Sequence, residues 1–187
     1  PWGLDASFQA FAVIGQHAKA GTPYSHLTHT QSYGYLDMVV NGISVGEYGQ
    51  LALCAMEVGV PAVLACGEKA FTEEAAALTP GVVTASVKRG LLPDGLDHLS
   101  AEEYKRAKLS AVHSAPVRAC ETIRHAAAEA AGRLKNRPAS FHYPKLNPPY
   151  VRVTRFRRSR DRDAWTAREE HTTSIIGLMN MPYQMAE

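Results

Sequence analysis

Three of the eight histidines of this 187-residue chain crowd into one short stretch, as His17, His26 and His29, and a glutamate, Glu47, follows between Gly46 and Gly49. Imidazole is the commonest protein metal ligand and the commonest general base. Zinc accepts carboxylate oxygen beside imidazole nitrogen. Together these residue types could hold a metal ion and move protons. Each has a plainer reading too. Clustered histidines can hydrogen-bond a loop together, and an acid at a helix start complements the helix dipole. The other five histidines, His98, His113, His125, His142 and His171, are scattered.

A second pattern overlaps the first. Gly42-Ile43-Ser44-Val45-Gly46 fits the G-x-S-x-G nucleophile elbow, which needs a strand, a sharp turn at the serine and then a helix. Ile43 and Val45 flank Ser44 as in a strand rather than a turn. A serine hydrolase using Ser44 is the alternative this pattern leaves.

The elements around these residues are legible. Phe11 to Ile14 is a short apolar run closed by Gly15 and predicts a buried strand. Gln16 to Ser32, rich in His, Thr, Gly and Pro, predicts a loop, where a rigid scaffold commonly presents functional groups. Asn41-Gly42 between two apolar runs predicts a hairpin, because both residues tolerate positive φ. Glu47 to Val58 predicts a helix closed by Gly59. Pro61 to Ala65 is a fully apolar strand ending at Gly67. Thr72 is placed to cap a short helix, with Glu73 and Glu74 in its first turn. Val82 to Val87 predicts another strand. Ser100 to Glu103 forms a capping box, and Pro116 is expected to interrupt that helix and restart it toward Leu134. Residues 136–149 read as a Pro-rich linker. Tyr150 to Phe156 is a strand with Val151 and Val153 on one face and Arg152 and Thr154 on the other. The tail from Trp165 carries no clear pattern.

Alternating strands and helices define the α/β class: a mixed sheet flanked by helices, with a C-terminal helix and strand extension. Residues 1–135 form the metal-site domain and residues 136–187 the linker, strand and extension.

Composition narrows the function. Hydrophobic residues make up 45% and charged residues 20%, the profile of a globular protein, and no apolar run approaches a membrane span. A net charge of +2 does not call for nucleic acid. The basic run Arg155, Arg157, Arg158, Arg160 and Arg162, interleaved with Asp161 and Asp163, reads either as a solvated strand end or as a contact for an acidic partner or a subunit. Cys54, Cys66 and Cys120 are odd in number and lack CxxC spacing, which points to a reducing compartment and a cytoplasmic location. The opening Pro1-Trp2-Gly3-Leu4-Asp5 is neither a signal peptide nor a usual nascent start, and predicts a processed product or a fragment.

Four segments, read in order, carry a family resemblance. They are Gly15-Gln16-His17-Ala18-Lys19-Ala20-Gly21-Thr22, then Leu27-Thr28-His29-Thr30, then Asn41 to Gly49, then Gly59-Val60-Pro61-Ala62-Val63-Leu64-Ala65-Cys66-Gly67, with Val87-Lys88-Arg89-Gly90 beyond. Over about residues 11–135 the chain resembles the zinc-dependent D-aminopeptidases of the DppA type. The resemblance implies zinc ligands at His17 and Glu47 and an active-site role at His29, the family's proposed nucleophile. It assigns His26 no role. It implies a metal-dependent amide or peptide hydrolase that releases N-terminal D-amino acids from short peptides, two zinc ions, and an assembly of identical subunits. The family opens with an Asp-x-Glu-Gly segment whose acids bind metal, followed by a further histidine ligand. Neither is in this chain. The missing ligands are therefore expected from outside it, from a separate or cleaved N-terminal chain that stays docked. Gly67-Glu68-Lys69 replaces the family's Gly-Asp-Asp, a change expected to alter pocket charge. It leaves room for a specialised or non-catalytic homologue acting on a different amide in secondary metabolism.

Overall fold

The computed structural model describes residues 3–186, so Pro1 and Trp2 of the opening segment, and Glu187, lie outside the described residues. Four strands make the first sheet: β1 (Phe11–Gln16), β4 (Ala62–Glu68), β5 (Val83–Gly90) and β6 (Ala111–His113), in that spatial order. The first three are parallel and β6 is antiparallel to β5. β4, central and apolar, is buried along its whole length, as a parallel strand covered on both faces must be. Its Ala65 packs with Phe71 and Ala75 of α2 (Lys69–Leu78), while Leu64 and Cys66 pack with Ala126 and Ala130 of α4 (Pro116–Asn136). The two helices therefore cover opposite faces, giving the expected mixed sheet flanked by helices.

The second sheet is antiparallel, in the order β3 (Ile43–Ser44), β2 (Tyr35–Val40), β7 (Tyr150–Phe156), β8 (Trp165–His171). β2 and β3 form the hairpin the sequence predicts, with Asn41 at φ 46° and Gly42 at φ 85°. α1 (Glu47–Glu57) lies between the sheets. Its Tyr48 and Ala52 join the core of the first, and its Leu53 and Cys54 join Met38, Val40 and Ile175 of the second. Gly59 ends α1 in the left-handed region at φ 73°, as a C-terminal glycine should.

Three local expectations need correction. Thr72 does not cap a helix: α2 begins directly at Lys69, and the Thr72 hydroxyl donates back to the Lys69 carbonyl. Pro116 does not interrupt a helix. α3 (Ala101–Ala107) ends early after its Ser100–Glu103 capping box, the edge strand β6 intervenes, and Pro116 opens α4, where its missing N–H costs nothing. β1 is not a buried strand: it lies at the edge of its sheet and leaves Ile14 59% exposed. In β7 the faces alternate as predicted, and Arg152 and Thr154 share the buried face with Tyr150 and Phe156. Arg152 is 2% exposed and Thr154 0%. Arg152 donates to Glu169 of β8 at 2.8 Å and to the Met181 carbonyl at 2.9 Å.

The tail that the sequence left unread forms β8 and α5 (Ile175–Asn180). Much of the basic run has partners inside the fold. Arg157 is buried over the Tyr104 ring and donates to the Leu96 carbonyl, Arg155 faces Asp37, and Arg158 faces Glu103. Among the described residues, no helix is long and apolar enough to cross a membrane.

All three cysteines are free, with Cys54 and Cys66 buried and Cys120 exposed on α4. Burial raises the Cys54 and Cys66 thiols above their ordinary range, away from the reactive thiolate. A thiol-exchange reagent is therefore expected to modify Cys120 alone in the native protein and all three cysteines after denaturation. Fast native reaction of a second thiol, followed by mass spectrometry, would show that this core opens.

Candidate metal centre

β1 and β4 end side by side, Gln16 opposite Gly67. A Cβ on Gly67 would lie 2.0 Å from the Gln16 carbonyl oxygen, so the close approach of the two strand ends requires glycine there. The carboxyl ends of parallel strands are where open α/β sheets place their sites. His17 leaves β1 at this point, and Glu47 arrives as the first residue of α1. The loop between β1 and β2 then folds His29 back over His17. The two rings stack with centroids 4.0 Å apart and planes at 28°.

The two imidazoles have the same hydrogen-bond pattern. His17 Nδ1 faces the Ala18 carbonyl at 3.0 Å, and His29 Nδ1 faces the Leu27 carbonyl at 2.6 Å. A carbonyl only accepts, so each Nδ1 carries a proton, and in the neutral ring this leaves the lone pair on Nε2. Both Nε2 atoms point at Glu47. His17 is 3.6 Å from one carboxylate oxygen and His29 is 3.6 Å from the other. That is too long for a hydrogen bond. It fits a metal ion: two ligands, each about 2.1 Å from a tetrahedral ion, stand roughly 3.4 Å apart. One ligand atom from each of His17, His29 and Glu47 lies within 4.8 Å of the others. Histidine ligands that donate their remaining N–H to a carbonyl are the usual outer arrangement of a zinc site.

Burial lowers the His17 pKa and the neighbouring His29 adds to this, against the opposing pull of the Ala18 carbonyl and Glu47. The shift favours the neutral ring, the form that a metal ligand takes. Glu47 is oriented by Gln16, whose side-chain amide donates to Oε2 at 2.7 Å, and by the Gln31 backbone N–H, which donates to Oε1 at 3.0 Å. Tyr33 packs on the outer face of His29, with centroids 4.7 Å apart.

The sequence-predicted residues thus meet at one point, from two elements and a loop. His26 does not join them. It packs edge-on against His113 and approaches Lys88 at 3.4 Å. Ser44 sits in a hairpin strand rather than an elbow, and its hydroxyl donates to Asp37 at 2.5 Å and accepts from Lys19 at 2.7 Å. Among the described residues no histidine bonds to it, and the serine reading has no geometric support.

Glu68 is not part of the donor group. It is fully buried and bonded to the histidine loop, while Lys69 is exposed and pairs with Glu73. Sequence reasoning missed Gln16, Tyr33 and this use of Glu68. The one available signal was a lone acid ending the apolar run 61–67.

Fold and donor set define an α/β protein with a His/His/Glu centre of the kind that binds a transition metal. A family model for M55 peptidases, described as D-aminopeptidase, matches residues 2–170, and the chain belongs to that family. The curated D-aminopeptidase of Bacillus subtilis (strain 168) is 34% identical over 104 residues, covering 56% of this chain and 38% of that protein. A solved structure, described as Zn-dependent D-aminopeptidase DppA from Bacillus subtilis, a self-compartmentalizing protease, superposes with a TM-score of 0.67 at 23% identity. It covers 83% of this chain and 50% of that one, so the chain spans about half the length of the relatives it matches or less.

Proposed function

We propose that this chain forms the zinc-binding part of an aminopeptidase that releases N-terminal D-amino acids from short peptides. The observation that carries the reading is the convergence of His17, His29 and Glu47 with both Nε2 lone pairs aimed at the carboxylate. His17 and Glu47 are the ligands. Zinc, when bound, supplies Lewis acidity toward the scissile amide carbonyl. His29, its Nδ1 proton fixed on the Leu27 carbonyl, presents a free Nε2 that acts as general base or nucleophile toward that carbonyl. Gln16 holds the Glu47 carboxylate in place, and Tyr33 shields one face of His29.

Two ligands fall one short of the three that a catalytic zinc takes from protein. The further ligands, for this ion and for a second, are supplied in this reading by a docked N-terminal chain. The description of the Bacillus protein as self-compartmentalizing supports assembly of this chain with copies of itself. The cysteine usage supports a cytoplasmic location. In this reading residues 1–135 carry the site, and residues 136–187 extend the sheet of β2 through β7 and β8.

The test is metal content and chelator sensitivity of the protein purified with whatever stays bound. About one zinc per chain or more is expected, with hydrolysis of a D-amino acid amide that a chelator abolishes and zinc restores. Hydrolysis indifferent to chelator and stopped by a serine-directed inhibitor would overturn the reading.

A further inference from the structure

We infer that Glu68 is a positioning residue for the imidazole pair: a buried carboxylate that clamps the histidine loop at two points and so sets the spacing of His17 and His29. This rests on the proposed zinc reading of those residues. Glu68 ends β4, is 0% exposed, and stands under the loop rather than in the donor group. Its Oε1 accepts the Ala18 N–H at 2.7 Å and the Ser25 hydroxyl, and its Oε2 accepts the His26 N–H at 2.5 Å. A charged acceptor makes each of these bonds strong.

The anchor points bear directly on the rings. The peptide N–H of Ala18 is held by Glu68, and the carbonyl of Ala18 holds His17 Nδ1. His26 N–H is held by Glu68, and the carbonyl of the next residue, Leu27, holds His29 Nδ1. One carboxylate therefore anchors the chain within two peptide units of both carbonyls that orient the two imidazoles. The loop needs such a restraint. Tyr24 and Leu27 lie at φ 52° and 57°, a region that residues with side chains adopt only when surrounding contacts impose it. Lys108 completes the brace from the far side. It is 2% exposed, donates to the Thr22 carbonyl at 2.8 Å, and accepts the Leu27 N–H on its own carbonyl at 2.9 Å.

Glutamine cannot replace this group. Three donors converge on two acceptor oxygens, and an amide has one oxygen and an NH2 that would face a donor. Glu68→Gln is therefore expected to lower zinc affinity by about 10–100-fold, the cost of losing an outer partner of a metal ligand. The zinc-free variant should keep a cooperative thermal transition, and amide hydrogen exchange should rise across residues 18–29. Affinity is read by competition with a chromophoric chelator. If Glu68→Gln melts below the assay temperature, Ser25→Ala, which removes one arm and leaves the carboxylate two donors, is read instead. It should lose about fivefold in affinity, one hydrogen bond's worth. Wild-type protein that binds zinc tightly, with variants that bind it equally well, overturns the positioning role alone. Wild-type protein that takes no zinc overturns the zinc reading, and the inference falls with it.

Discussion

Glu47→Ala is expected to lose zinc binding by more than the ~10–100-fold that removal of an outer partner costs, with the fold retained. Glu47 is the only acid in the donor group, and its two oxygens divide between His17 and His29 at 3.6 Å each. Without it, two imidazoles remain in the donor group and no carboxylate there offsets the charge of the cation. The fold loses little, because Glu47 is partly exposed and acts on its helix chiefly as a first-turn acid, worth about 0.3–1 kcal/mol. His17→Ala should behave alike. His29→Ala separates the roles. As a base or nucleophile, His29 can be removed with zinc retained and turnover lowered by about 10²–10⁴-fold. Chelator competition and rate measurements on the same preparations read both quantities. Zinc affinity in Glu47→Ala equal to that of the wild type would place the metal elsewhere.

Glu169→Ala is expected to destabilise the protein by about 3–5 kcal/mol, the usual cost of removing one partner of a buried ion pair. The Arg152 and Glu169 side chains are 2% and 0% exposed. Arg152 also donates to the Met181 carbonyl and lies over the Tyr183 ring, and Glu169 accepts the Gln184 N–H at 2.6 Å. The pair thus ties β7, β8 and the segment after α5 together. Alanine at 169 leaves a guanidinium in the interior without its counter-ion. The joint replacement Arg152→Met with Glu169→Leu should recover much of the loss, because apolar pairs of similar volume often match a buried ion pair. Urea unfolding of the single and double variants measures both. A single-variant loss under 1 kcal/mol would mean that water reaches this pair in solution.

The second sheet is where the sequence was hardest to read. Val151 and Val153 alternate with Arg152 and Thr154, and it is the second pair that faces inward, beside Tyr150 and Phe156. Alternation follows from strand geometry alone. Which face is buried depends on what lies opposite, and Glu169 comes from a segment whose own pattern, Glu169-Glu170-His171, does not read as a strand. The short β6 was hidden for a related reason. Three residues, Ala111 to His113, carry too little periodicity to register, and they become a strand only because the edge of β5 offers them partners.

The chain by itself determined the features that depend on near neighbours. The Asn41-Gly42 turn, the glycine end of α1, the Ser100 capping box and the apolar β4 all follow from local backbone preference and unbroken hydrophobicity. His17, His29 and Glu47 were also visible as residue types in ordered motifs. Only the tertiary structure decided that His29 stacks on His17, that both Nε2 atoms face one carboxylate, that Gln16 orients that carboxylate, and that Ser44 turns its hydroxyl to Asp37. Those outcomes depend on where β1, α1 and a loop meet in space. That meeting is fixed by the close approach of Gln16 to Gly67 and by a buried carboxylate at Glu68, both contacts between residues far apart in the chain.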